Sequence, residues 1–445
     1  MVAKDESIGR RIVGFGMSAS LKAVRDSFKN LVANLGTTRD KQSFGEYSLN
    51  QLSDDVLSAI YRTSWMGRKT VDIPAKDATR KWREWEAEAD QIAALEREER
   101  RLLLPQKVRK ALQLSRLYGG SALYFSIEGD DPALPLQLET VKADSLSFVT
   151  PLPKTILTPG EVEQDPMAEG YGLPKWYEVF GATGSQVIHP SRLALFTGVE
   201  KLEVQATTND GWGDSILQSA YEAVRNADST ASNTSSLVYE AKVDVLQIPG
   251  LANIMANPRT RALLEQRVQL SAQLKGNNGV MIIDGDETYS QKSFTFGGLP
   301  EISYQALQAV SGAADIPLTR FLGQSPGGLS STGESDLKNY YDSVNSMQTL
   351  TVSPALANLD EVLIRSTLGS RPDEITYFWS SLWQMSDEQK SKISLETSQT
   401  IKNLAETGLF AEDDLSEAAA NMLIEHSILP SFEMTHSPEE VIEYE

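Results

Sequence analysis

The chain has no cysteine among its 445 residues. That excludes disulfide bridges, thiolate metal sites and cysteine nucleophiles, and it suits assembly in a reducing compartment such as a host cytoplasm. Histidine is nearly absent, with only His189, His426 and His436. They do not form the H-E-x-x-H spacing that sets two imidazoles on one helix face around zinc. A two-histidine phosphoesterase would need two His-x-Ser/Thr triplets. His189-Pro190-Ser191 fits one, and His436-Ser437-Pro438 does not. There is no G-x-x-x-x-G-K-[ST] loop to cradle the phosphates of ATP. No apolar stretch reaches the roughly 18 residues a membrane helix needs, so no membrane partner is expected. The start, Met1-Val2-Ala3-Lys4-Asp5-Glu6, lacks an apolar signal core, so secretion is not expected. The reading is of a non-enzyme with no cofactor and no metal.

Acidic residues dominate what is present. Against 41 Lys and Arg stand 61 Asp and Glu, a net charge of -20. Tight binding to nucleic acid through phosphate neutralisation is therefore not expected. An acidic wall would instead repel phosphates and let a duplex slide past. Acidity alone also keeps a protein soluble. At 40% apolar and 23% charged the chain has an ordinary folded composition. Its length allows two to four domains or one elongated, multi-part fold.

Residues 1–45 read as an N-terminal arm, with one possible helix from Ser18 to Leu35. From Tyr47 to Leu117 the pattern is helical: Leu52, Val56 and Ile60 recur at helical spacing, Gly67 reads as a turn, and a charged helix is predicted from Asp77 to about Arg101 carrying Trp82 and Trp85. Gly119-Gly120 ends the helical part. Ala122–Ile127, Lys175–Phe180 and Arg192–Phe196 alternate as short antiparallel strands. Asp214, after Gly211-Trp212-Gly213, reads as the cap of a helix through Leu217, Tyr221 and Val224; Ser229–Ser236 then favours a linker. A small α/β module follows. It has a strand at Val243–Ile248, a helix opened by Pro258, and strands at Gly279–Ile283 and Ser293–Phe296. Asp284-Gly285-Asp286-Glu287 reads as a solvated turn, since it lacks the rest of a calcium loop.

A helix from Glu301 to Ala314 stops at Pro317. The Gly/Ser-rich stretch Gly323–Gly333 comes next, then a long helix from Ser335 to about Leu368 interrupted by Pro354. An interior proline removes a hydrogen bond and crowds the preceding turn, so a kink is expected. Unkinked, this helix would span roughly 50 Å. A strand at Ile375–Trp379, a helix started by Ser386-Asp387-Glu388-Gln389 and ending at Gly408, a helix from Glu412 to about His426 and an acidic tail complete the chain.

This order of pieces resembles the portal proteins of tailed bacteriophages over roughly Tyr47 to Leu429. The matching segments are Ile188-His189-Pro190-Ser191-Arg192-Leu193 with Phe196-Thr197-Gly198, then Gly211-Trp212-Gly213-Asp214-Ser215-Ile216-Leu217, then the run from Ala313 to Leu368. The resemblance implies an α+β, elongated multi-part fold. Its parts would be a mixed α/β wing (46–213 and 335–385), a two-helix stem (214–240 and 300–316), a small α/β clip (241–299), a tunnel loop (317–334), a long kinked wing helix and a short helical crown with an acidic tail (386–445). It further implies a homo-oligomeric ring of twelve subunits at one capsid vertex of the virion. Double-stranded DNA would be packaged and ejected through it. Partners would be the major capsid protein, the terminase large subunit and a head-tail adaptor. From position alone, Gln324, Ser325, Ser330, Ser331 and Thr332, flanked by Arg320 and Lys338, would face the DNA. The competing readings are another oligomeric virion or scaffold protein without a channel, and a hydrolase using carboxylates in the strand-rich region, for which loss of activity on mutating His189 would be the sign.

Overall fold

Acidic residues open the first described helix, α1 (Asp54–Thr63), and Arg62 closes it, so both ends complement the helix dipole. The protein is described from a computed structural model. The described residues are 51–168, 170–181, 184–201, 211–239, 242–274, 283–293, 296–323, 333–383 and 387–407. The elements below all belong to the unit Asp54–Glu445. The Ser64 side chain accepts from the Gly67 N–H and caps α2 (Trp65–Arg80). Gly67 is thus inside a helix and not in the expected turn. A Cβ on it would meet Ile60 Cγ2 at 2.6 Å, so the glycine is what lets α1 and α2 approach.

The predicted charged helix from Asp77 to Arg101 is in fact three pieces. The end of α2 is followed by a strand, β1 (Arg83–Glu86), and then by α3 (Ala89–Leu102). Arg83 and Trp85 point inward and Glu84 and Glu86 outward. The strand exists because β10 (Thr376–Trp379) pairs with it, Arg83 opposite Trp379 and Glu86 opposite Thr376. Leu103 turns the chain with φ 53°, and α4 (Leu104–Tyr118) begins with Pro105 in its first turn, where a missing N–H costs nothing. Gly119 ends α4 in the left-handed region, φ 87°.

The strand-rich region follows its predicted pattern of short antiparallel strands. β2 (Gly120–Ile127), β3 (Leu146–Pro153) and β7 (Leu193–Thr197) form one sheet in the order β3-β2-β7. β4 (Leu157–Pro159), β5 (Tyr177–Gly181) and β6 (Gly184–Ile188) form a second, all pairs antiparallel. The first sheet lies on α4, and its Leu123, Phe125 and Phe196 join one core with Leu356, Leu359 and Leu363 of the later long helix.

Helix α5 (Ile216–Tyr239) continues straight through Ser229–Ser236, where a linker was expected. Burial of Leu217, Ala220, Val224 and Ala227 outweighs the weak propensity of the Ser/Thr/Asn run. β8 (Lys242–Gln247), α6 (Leu251–Ala256), α7 (Pro258–Leu274) and β9 (Thr288–Ser293) form the small module, with β8 and β9 antiparallel. Its second predicted strand, Gly279–Ile283, falls on residues 279–282 outside the described set. Its third ends at Ser293, the residue where that strand was expected to begin. Helix α8 (Leu299–Ala313) returns along α5 and packs on it.

After α9 (Leu318–Leu322) come α10 (Glu334–Met347), one π-helical turn (Gln348–Val352) and α11 (Ser353–Leu368), helical from end to end. Pro354 has no N–H to offer the carbonyl one turn back, and its ring crowds that carbonyl. The wider π turn sits just where that conflict falls. Helix α12 (Asp387–Thr407) is the last described element. The N-terminal arm, Ser386, Gly408 and the predicted helix from Glu412 to His426 lie outside the described residues. The α+β class expected from the sequence is the class observed.

Candidate functional site

Three glycine motifs, far apart in the chain, meet where α5 leaves the sheets. Val199 and Asp214 exchange both backbone hydrogen bonds at 2.8 Å, and the Gly198 N–H donates to the Gly119 carbonyl at 2.9 Å. A Cβ on Gly119 or Gly198 would lie 2.3 Å from the backbone oxygens of Gly213 and Asp214 respectively, and one on Gly213 would lie 2.4 Å from the Val199 oxygen. Gly120 lies under the Trp212 ring, which is buried and tilts against Tyr177 at 5.5 Å. Only glycine permits this crossing. The cap of α5 is Ser215 and not Asp214: the Ser215 hydroxyl accepts from the Leu217 N–H at 3.1 Å and donates to the Arg116 carbonyl at 3.2 Å. Helix α5 therefore leaves the body in a fixed direction. Gly198→Ala is expected to cost about 1–3 kcal/mol, because backbone must move to admit the methyl. Gly312→Ala, in open space within α8, is expected to be neutral or stabilising. Urea denaturation of the two variants checks the pair.

The second feature is the footing of the segment between Gly323 and Gly333. Both glycines are left-handed, φ 71° and 58°. Both flanks of the segment stand on α2. Arg320 in α9 donates to Asp77 through Nε at 3.0 Å and Nη2 at 2.9 Å, and the Tyr340 hydroxyl of α10 donates to the same carboxylate at 2.9 Å. Asp77 is 1% exposed. Its hydrogen bonds hold the Arg320 guanidinium above its ordinary pKa. Burial, then the Asp77 charge, push the Tyr340 phenol far up, so it stays a donor. Lys69 Nζ donates to the Phe321 carbonyl and stands over the Trp65 ring at 5.2 Å. Gln348 donates to the Ala78 carbonyl at 2.8 Å. The buried Arg116 donates to the Thr70 carbonyl at 2.8 Å, and burial pushes its pKa down to about 10.

Of the residues singled out from the sequence, Gln324, Ser325, Ser330, Ser331 and Thr332 lie outside the described residues. Lys338 is exposed on α10. Arg320 is engaged with Asp77. The sequence reading missed Asp77, Lys69 and Tyr340 as one cluster. The available signal was Asp77 itself, a carboxylate in helical register with Thr70 and Ile73 on the inward face of α2. His189 is a local cap: its Nδ1 lies 2.8 Å from the Ser191 hydroxyl and accepts from the Ser191 N–H. Burial, then Arg192, lower its pKa. Glu287, in the predicted solvated turn, is held by both Arg267 terminal nitrogens. Among the described residues no group of three or more His, Asp or Glu is placed to hold a metal ion.

The sequence model of the family described as phage portal protein matches residues 56–403. A protein of Caulobacter sp. (strain RHG1), called anti-CBASS protein Acb1, is 38% identical over 424 residues, covering 92% of this chain and 68% of that protein. A protein of the same description from Sphingomonas paeninsulae is 36% identical over 418 residues, covering 92% and 66%. The chain thus spans about two thirds of the length of these two relatives. An uncharacterized protein of Haemophilus influenzae (strain Rd) is 30% identical over 442 residues, covering 93% of this chain and 98% of that one. Among solved structures, a chain from the neck of the native gene transfer agent particle aligns at 12% identity and TM-score 0.49, over 85% of this chain and 96% of that one. An HK97 family phage portal protein from Corynebacterium diphtheriae aligns at 10% identity and TM-score 0.39, over 72% and 94%.

Proposed function

This chain belongs to the phage portal protein family, and from that membership we propose that it is a portal subunit. In this reading a ring of twelve copies occupies one capsid vertex, and double-stranded DNA is packaged and ejected through its centre. The ring assembles in the host cytoplasm, sits against the major capsid protein, and presents one end to the terminase large subunit and later to a head-tail adaptor. The observation that carries the reading is the family match across 56–403. The arrangement of parts supports it. Helix α5 leads out of the body, the β8–α6–α7–β9 module follows, and α8 leads back along α5. On this reading α5 and α8 are the stem, the module is the clip, 317–334 is the tunnel loop, and α10 to β10 complete the wing begun by 46–213. The crown begins with α12.

The electrostatics suit a conduit. The net charge of -20 disfavours adhesion to phosphates. Arg320, beside the proposed loop, spends its charge on Asp77, and each cation kept from phosphate removes one source of salt-dependent drag. No catalytic role is proposed for His189, whose ring serves its own turn. About a third of each of the two longer relatives has no counterpart in this chain.

Negative-stain electron microscopy with mass photometry tests the proposal. The expected result is a ring with a hole wide enough for a duplex, at about twelve times the 48.9 kDa chain mass. Closed oligomers without a hole would favour a virion or scaffold protein lacking a channel. A chain that stays monomeric even with scaffold or capsid protein would overturn the ring.

A further inference from the structure

The loop 128–137 follows β2 and is gripped by one short stretch of distant chain, His189–Arg192. The His189 N–H donates to the Pro132 carbonyl at 2.8 Å. The buried Arg192 donates through Nε to the Leu134 carbonyl and through Nη1 to the Asp130 carboxylate, both at 2.7 Å. The Ser191 hydroxyl accepts from the Leu136 N–H at 2.8 Å. That last bond seats Leu136 on the main core, next to Leu134, which is 57% exposed. The Asn358 amide of α11 donates to the Ser191 carbonyl at 3.3 Å and ties the turn to that helix.

The bond to Leu136 depends on the protonation state of His189. Its Nδ1 accepts from the Ser191 N–H at 3.3 Å, so the neutral ring carries its proton on Nε2. The Ser191 hydroxyl, 2.8 Å from the same nitrogen, donates to it and keeps its lone pairs for Leu136. A proton on Nδ1 reverses both contacts. The Ser191 N–H then faces a donor and loses its acceptor, and the hydroxyl is drawn round to accept from the ring. The new cation also forms near Arg192. The neighbouring elements offer little to balance it. β2 and β7, which pack on the turn, carry no charged side chain. On α11, Asp360 is held by Arg83, and Glu361 by Arg365 and Arg371. In the loop, Asp130 is paired with Arg192, Asp131 accepts from the Ala133 N–H, and Glu128 is exposed. Burial, then Arg192, hold the imidazole below the ordinary histidine range.

We propose that the His189–Arg192 turn is an acid-operated clamp: neutral His189 keeps Leu136 of the 128–137 loop on the core, and protonation of His189 releases it. A base whose folded-state pKa is lowered contributes stability above its unfolded value, 6.5 for histidine, and loses it as pH falls through the folded value. The window is therefore mildly acidic, and His189 is the only histidine among the described residues. The bonds to Pro132 and Leu134 do not involve the ring and persist, so the release is confined to the Leu136 end. None of this depends on the portal reading.

The test is hydrogen exchange of the full chain across about pH 7.5 to about pH 4, each rate divided by the intrinsic rate at that pH. In the parent, the Leu136 and Ser191 amides are expected to lose protection roughly five- to tenfold, with a midpoint below pH 6.5, while the α4 amides keep theirs. His189→Asn retains an oxygen that can accept from the Ser191 N–H and takes up no proton in this range, so its Leu136 protection is expected not to change with pH. Ser191→Ala removes the acceptor, and Leu136 is expected to be unprotected throughout. Urea denaturation at neutral pH is expected to show both variants folded. Unchanged protection of Leu136 in the parent would mean that the protonated ring turns to water without opening the loop. The same loss in His189→Asn, or a midpoint near about pH 4, would assign it to a carboxylate. Loss spread equally over α4 would be general loosening in acid. Each of these overturns the clamp, and none bears on the ring assay.

Discussion

Arg83→Met is expected to destabilise the chain by about 3–5 kcal/mol, the largest effect of any single substitution considered. Arg83 is wholly buried between two carboxylates, with Nε 2.9 Å from Glu99 and Nη1 2.6 Å from Asp360. Its guanidinium lies over the Trp85 and Tyr377 rings, 4.4 Å from each centroid. Burial disfavours the charge, yet Asp360 and Glu99 outweigh it and hold the group above the usual arginine range. The triad carries one positive and two negative charges. Losing the arginine leaves two buried carboxylates facing each other, whereas Glu99→Gln or Asp360→Asn leaves a neutral pair and costs less. The sign with pH follows. In Arg83→Met both carboxylates take raised pKa values in the folded state, so the native protein binds more protons than the unfolded chain and stability falls as pH rises. The deficit should therefore shrink between pH 8 and pH 5. Chemical denaturation at both pH values checks this. A pH-independent loss equal to that of Asp360→Asn would mean the arginine acts by packing alone.

The triad also shows what the sequence could and could not disclose. Trp82 and Trp85 are three residues apart among helix-forming Glu, Lys and Arg, so local pattern favours a helix. The strand is imposed by β10, nearly three hundred residues later, and a single-chain pattern contains no trace of that pairing. Ser229–Ser236 misleads in the opposite sense. Its weak propensity suggests a linker, and the helix persists because α5 packs on α8. Features set by backbone chemistry were legible: the Gly119 stop, Pro258 opening α7, and an irregularity in the long helix next to Pro354. The glycine crossing at Gly198 and Gly213 was legible only as motifs, since no sequence pattern says that three of them touch. The footing on Asp77 was hidden for the same reason. From position alone Arg320 flanks the loop expected to face DNA, and the carboxylate that engages it lies 243 residues earlier.

Asp77→Ala is expected to cost about 2–4 kcal/mol and to loosen α9 in particular. Two contributions are unequal. The Arg320 side chain is 35% exposed, so water can replace much of what Asp77 gives it. The Tyr340 hydroxyl is buried and would be left without its acceptor, which costs more than the bond itself contributes. Tyr340→Phe alone should therefore cost only about 1 kcal/mol, since Asp77 keeps Arg320. The double variant Asp77→Ala, Tyr340→Phe should be more stable than the two single losses predict, because the stranded donor is gone. Hydrogen exchange locates the effect. The Phe321 and Gly323 amides donate to the Pro317 and Thr319 carbonyls at 2.8 Å and close α9. With Asp77 gone, α9 keeps Lys69 on the Phe321 carbonyl and loses its bidentate tie, so these amides should exchange faster than those of α4. Additive losses, or uniform exchange across α9 and α4, would show that Asp77 supports the core as a whole and does not join the two flanks of the 324–332 segment. Coupling confined to α9 and α10 would mean that a pull on either flank reaches the other through one buried carboxylate.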